Sequence, residues 1–248
     1  MKPIPHLPLL IWLTLTGLVV FGSVVCVDQG LIQTMIDSDR SYICIVIIAM
    51  YFVGLGHTFR RTTYLSKELN CAVKMDEMLQ ASAGQALYID GRALRLDDGT
   101  PLPPGFVSDY IVDFDRAKAA AASTDTENGE QSDLLDAYAS EVRKTNEFGW
   151  FYIDVLLKVG FLGTLVGFIL MLGSISETAV VDATSMQKVL KQMSFGMSTA
   201  LYTTLASLVA GILLAVPYHL LERSLNTLLE TTVYLKEVHI LPRLNGDR

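Results

Sequence analysis

The sequence predicts an all-α membrane protein with four transmembrane helices and long cytoplasmic helical extensions. Three observations carry this. About half of the 248 residues are apolar, and the mean hydropathy is +0.39. The apolar residues gather in four stretches, about 7–27, 42–59, 159–176 and 192–221, each without Asp, Glu, Lys or Arg. Each is close to the roughly 20 residues that cross about 30 Å of hydrocarbon. Between the second and third stretches, by contrast, residues 60–150 are polar with apolar residues at helical intervals.

The first stretch has a basic start at Lys2, as a signal peptide would. It is nonetheless long for one, and no A-x-A-type cleavage site follows, so it is read as a span. The fourth stretch exceeds what a bilayer needs and must tilt or continue beyond it. Lys2, Arg60, Arg61, Lys67, Lys74, Arg143, Lys144, Lys158, Arg223 and Lys236 flank one side of the four spans, against Arg40, Lys188 and Lys191 on the other. Positive residues stay inside. Both termini and the central segment are therefore expected in the cytoplasm, with outward loops at about 28–40 and 177–191.

Four regions follow. Residues 1–59 form a first transmembrane hairpin, 60–150 a cytoplasmic helical segment, 151–221 a second transmembrane hairpin and 222–248 a cytoplasmic C-terminal helix. In the central segment Leu65, Leu69, Ala72, Met75, Leu79, Ala83 and Ala86 continue the second span as a stalk with one apolar stripe. Asp90-Gly91 between short apolar runs signals a hairpin, and Pro101, Pro103 and Pro104 a loop. Residues 117–132 lack large apolar side chains and read as an exposed linker or loose helix. Helical spacing resumes at Leu134, Leu135, Tyr138, Val142 and Phe148. After the fourth span, Leu221, Leu225, Leu228, Thr232 and Leu235 carry a stripe onward until Pro242 stops it and Gly246 begins a frayed end.

The third span is unusual for a membrane helix. "VGFLGTLVGFILMLGSI" places Gly160, Gly163 and Gly167 on one side, with Thr164 among them. Lipid supplies no hydrophobic drive for helix association, so small residues at this spacing admit a second backbone at close range. "FGMSTALYTTLASLVAG" in the fourth span repeats the pattern with Gly196, Thr199, Thr203, Thr204, Ser207 and Gly211. Glycines alone need no more than packing, and a lone membrane threonine usually bonds its own backbone. Two facing hydroxylated spans can also line a narrow polar path. Neither span holds a carboxylate, so a titratable group for proton coupling would have to come from another chain.

Asp154 and Lys158 are spaced i,i+4 near the start of the third span and suit a surface ion pair, or a gate at an ion exit. The three cysteines cannot form a closed disulfide set, and the acidic balance argues against nucleic acid. No G-x-S-x-G, P-loop, H-E-x-x-H or CxxC is present. An enzyme, a resident cofactor or a metal site is not expected.

"GFLGTLVGF" at 160–168, followed by "GMSTALYTTLASLVAG" at 196–211, resembles the two-helix signature of the MotA/TolQ/ExbB ion-channel family. The likeness is closest over about sixty residues, and the order of spans agrees over the rest. Four spans resemble the MotA arrangement, whereas the wording of the signature is nearer to ExbB and TolQ. The resemblance implies an inner-membrane stator subunit: a homopentameric ring around two copies of a single-span MotB/TolR/ExbD-like protein, whose membrane aspartate serves a path for H+ or Na+. It implies that Thr164 and Thr204 face that aspartate, with Thr203, Thr199 and Ser207 beside them. Two departures stand out: Thr199 occupies the position of a glutamate in ExbB and TolQ, and Leu157 and Lys158 stand where a proline often precedes the glycine motif. Two other readings remain, a scaffold that oligomerises through its glycine faces and a small secondary transporter.

Overall fold

The computed structural model describes residues 7–39, 41–82, 85–121, 130–176 and 183–244. Four helices are long and apolar enough to cross a membrane, and the chain is a multi-pass, predominantly helical membrane protein. In chain order the elements are α1 (Leu7–Asp28), α2 (Leu31–Ser38), α3 (Ile43–Ala81), β1 (Leu87–Asp90), β2 (Ala93–Leu96), α4 (Phe106–Ala121), α5 (Glu130–Ser176) and α6 (Ala183–Tyr234). A π-helical turn (Leu235–Ile240) and α7 (Leu241–Leu244) follow. The chain divides into two compact units, and α3, α5 and α6 each contribute residues to both.

One unit, a polar lobe, combines Arg61–Glu147 and Leu220–Arg248 with the N-terminal residues. The α3 stripe of Leu65, Leu69, Ala72, Met75 and Leu79 is buried there, as are Leu94 and Leu96 of the hairpin, Tyr110, Ile111 and Phe114 of α4, and Leu225 and Leu228 of α6. The stalk expected from sequence is thus the spine of a packed core. Strands β1 and β2 pair antiparallel with Asp90 opposite Ala93, and Gly91 takes the left-handed φ of 65° that the tight turn requires. Helix ends are closed by side chains from other elements. Glu68 accepts the Phe106 N–H at 2.7 Å at the start of α4, and Arg243 donates to the carbonyls of Leu79 and Ser82 at the end of α3. Lys236 lies over the Phe114 ring at 4.0 Å, a cation–π contact.

The other unit, Trp12–Arg60 and Phe148–His219, holds the apolar parts of the four spans. The α1 helix meets α3 through Trp12, whose ring nitrogen reaches the Thr58 hydroxyl at 3.5 Å and whose ring lies 5.0 Å from that of Phe59. Leu13, Leu18, Phe21 and Val24 of α1 are exposed, as a lipid-facing helix requires. Between α3 and α5, the Tyr152 hydroxyl donates to the Met50 carbonyl at 2.6 Å.

Several expectations change. Helix α6 begins at Ala183, so Lys188 and Lys191 lie in a helix rather than in a loop, and the segment at 28–40 contains α2. Of the segment read as an exposed linker or loose helix, residues 117–121 and 130–132 are helical, as alanine favours in the first of these. Residues 122–129 and 177–182, and the frayed end at Gly246, lie outside the described residues. Pro242 does not stop the chain's helix. It is the second residue of α7, which runs directly on from the π-helical turn. Phe148 is 56% exposed, and its neighbour Gly149 takes the buried position instead.

Candidate functional site

The helices α5 and α6 run antiparallel through the membrane unit in one constant register. At one end a methyl group on Gly149 would overlap the Tyr218 ring. Moving along the seam, Gly211 faces Leu157, Gly160 faces Ser207, Gly163 faces Thr203, and Gly167 faces Ala200. Gly196 faces Met171 at the other end. From Gly149 to Met171 the seam is about 33 Å long at 1.5 Å per residue, roughly the thickness of the hydrocarbon core.

The approach is closest at Gly167 and Gly196. A Cβ on Gly167 would lie 2.6 Å from the Ala200 nitrogen and 2.7 Å from the Gly196 carbonyl oxygen. Both neighbours are backbone, which cannot move aside. Gly160, Gly163, Gly167, Gly196 and Gly211 each have a named neighbour where a Cβ would stand.

The hydroxyls divide into two groups. Thr199, Thr203 and Ser207 are 0%, 0% and 2% exposed and lie within the protomer. Thr203 donates to the carbonyls of Thr199 and Ala200, Ser207 to that of Thr204, and Thr199 to that of Ser38 at 2.8 Å. Thr199 thus ties the fourth span to the last residue of α2. Thr164 and Thr204 are half-buried and donate to the carbonyls of Phe161 and Ala200.

Helix geometry brings the second group together. Each residue turns about 100° round an α-helix, and in an antiparallel pair the residue after each contact residue falls on the same flank of the seam. Gly163 and Thr203 are in contact, so Thr164 and Thr204, next in sequence, share one flank at nearly one level. Phe161, Phe168, Leu201 and Leu208, which follow the contact positions nearest them, are exposed and apolar, whereas Lys158 and His219 follow Leu157 and Tyr218 farther along. The two threonines form a polar spot within the apolar middle of that flank.

Asp154 and Lys158 pair at 2.5 Å with both side chains largely exposed, a surface ion pair of small energetic weight. Sequence reasoning missed Asp39, which is 6% exposed. Its carboxylate accepts the N–H and hydroxyl of Ser41 and the N–H of Cys44, capping α3. Burial pushes its titration up, but these hydrogen bonds outweigh burial and hold it below the ordinary 3.8. An Asp-x-Ser just ahead of an apolar run was the available signal.

No curated protein matches the chain. Residues 126–232, which contain the whole α5–α6 seam, match the model of the MotA/TolQ/ExbB proton channel family.

Proposed function

We propose that this protein is the ion-conducting subunit of a stator in a bacterial inner membrane. Five copies surround two copies of a single-span MotB/TolR/ExbD-like protein, and H+ or Na+ crossing between ring and core drives mechanical work. Both termini and the polar lobe lie in the cytoplasm, in keeping with the basic residues around the spans. The observation that carries this reading is the shared flank of Thr164 and Thr204. The two hydroxyls stand outside the glycine seam, which takes up Thr203 and Ser207, and outside the contact with α2, which takes up Thr199.

Each half of the reading follows from chemistry. A hydroxyl can accept from one neighbour while donating to another, so a pair at one level can relay a proton or replace part of an ion's hydration. Neither α5 at 159–176 nor α6 at 192–221 supplies a carboxylate. The proton-binding aspartate is assigned to the partner for that reason. The threonine spot is where it would dock.

The local hydrogen bonds of Thr164 and Thr204 favour a second reading, a scaffold in which these hydroxyls are satisfied by their own helix. Thr204→Val and Thr164→Val keep the shape and remove the hydroxyl. With the partner co-expressed, the stator reading expects each variant to assemble normally and to lose ion-driven work. Normal assembly with unchanged work would leave the scaffold.

A further inference from the structure

The eight residues of α2, between the first two spans, sort by polarity around the helix. At about 100° per residue, Leu31, Ile32, Met35 and Ile36 occupy one arc of about 140°, and Gln33, Thr34 and Asp37 lie opposite. Such an arc normally packs on a core. Yet no residue of α2 is buried, Leu31 being 54% and Ile36 40% exposed, so the protomer leaves the apolar arc open. Left-handed backbone stands on both sides of the helix, at Gly30 with φ 70° and at Tyr42 with φ 58°. Thus α2 prolongs neither α1 nor α3.

Tyr42 extends this apolar surface. Left-handed φ is strained for so large a side chain, and among the described residues Tyr42 is the only non-glycine that adopts it. Its sequence neighbours are fixed by Asp39, whose carboxylate takes the N–H and hydroxyl of Ser41 and the N–H of Cys44. The ring itself is held outside, 70% exposed. At the other end of this short connection, the Ser38 carbonyl that closes α2 accepts the Thr199 hydroxyl, next to Ala200 of the seam.

A short segment that joins two consecutive spans stays at a membrane surface. There the apolar arc follows directly on lipid-facing residues, since the last turn of α1 exposes Val25 and Val27. Tyrosine suits the same level, because its ring is apolar and its hydroxyl prefers water. The helix carries a single charge, Asp37, so apolar burial rather than attraction to anionic headgroups is what holds it. We propose that α2 and Tyr42 form an interfacial anchor, with the apolar arc sunk about 5–10 Å into the boundary between headgroups and acyl chains. Gln33, Thr34 and Asp37 face the water, and the Thr199 hydroxyl keeps the anchor at its level. The anchor holds whichever ion the threonines of the flank serve.

Tryptophan fluorescence of the full chain in lipid nanodiscs tests it. Leu31→Trp, Ile36→Trp and Tyr42→Trp probe the apolar side and Thr34→Trp the polar side, each in a Trp12→Phe, Trp150→Phe background. Lipid brominated close to the headgroup should quench the first three about twofold more than lipid brominated at the chain ends, as the depth of an interfacial helix requires. Iodide in the water should quench Thr34→Trp alone, and the pattern should be the same in zwitterionic and anionic lipid. Iodide quenching of Ile36→Trp and Thr34→Trp alike would put α2 in water and overturn the anchor. Ile36→Trp shielded from iodide and from both brominated lipids would put it under protein, a second copy or a partner, and overturn it equally. Adding Thr199→Val should narrow the difference between shallow and deep quenching of Ile36→Trp, and an unchanged difference would overturn the part given to Thr199.

Discussion

Gly163 of α5 and Thr203 of α6 stand so close that a methyl group on the glycine would lie 2.5 Å from the threonine Oγ1. That contact sets the rotation of both helices about their axes. With Gly163 and Thr203 turned inward, Thr164 and Thr204 must turn to a common side, because each is the next residue on an antiparallel partner. Packing and function are thus coupled through register. Slipping one helix by a residue would turn one threonine away from the other.

The seam should tolerate additions only where space exists. Gly167→Ala places a methyl against the Ala200 and Gly196 backbones, whereas Gly173 has nothing within 4 Å of where its Cβ would stand. Overpacking costs about 1–3 kcal/mol, and unyielding backbone puts Gly167→Ala at the upper end. Thermal unfolding in detergent should show a clear loss for Gly167→Ala and almost none for Gly173→Ala. Equal melting of the two would mean that the helices are not this close.

Thr203 should behave unlike its neighbour. Its hydroxyl is buried and bonds the backbone of its own helix, so Thr203→Val keeps the shape against Gly163 and loses about 1 kcal/mol of hydrogen bonding. The expected result is slightly lower stability with ion-driven work retained, the reverse of Thr204→Val. If Thr203→Val alone abolished work, the path would run through the seam rather than along its flank.

The polar lobe supplies a third expectation. Arg243 donates to the Leu79 carbonyl in the last turn of α3 and to the Ser82 carbonyl just past it, which also accepts the Gln85 N–H. Arg243→Met keeps much of the side chain's bulk and removes the donors. It should cost about 1–3 kcal/mol, the range for hydrogen bonds from a charged donor. Limited proteolysis near residue 82 should accelerate, and unchanged cleavage would mean that the cap carries no weight.

The spans and the glycine faces were legible because a bilayer imposes long apolar runs and close packing imposes small residues, both visible along one helix. What escaped depends on two helices at once. Gly149 looks like an unimportant neighbour of Phe148 until Tyr218 is seen to fill the space above it. The division of the threonines into buried and half-exposed groups likewise needs the register of the α5–α6 pair, since 100° of rotation separates Thr203 from Thr204. Charge misled at Lys188 and Lys191, which lie within α6 rather than in a loop. Pro242 misled because the helix continues past it from a π-helical turn to Leu244.

Asp39 supplies a prediction whose sign follows from its hydrogen bonds. Its folded-state titration lies below the ordinary 3.8, so the folded chain binds this proton more weakly than the unfolded chain does. The stabilisation is fully present above that ordinary value and is lost as pH falls through the lower folded value. Asp39→Asn removes the charge and turns an N–H₂ group toward one set of donors, which should cost about 1 kcal/mol near neutral pH, as for a lost helix cap. The melting-temperature gap between wild type and variant should be constant from neutral pH down to about 4, then close as the solution is acidified further. A gap that persists undiminished at the acid end would show that the Asp39 carboxylate does not stabilise the start of α3 through its charge.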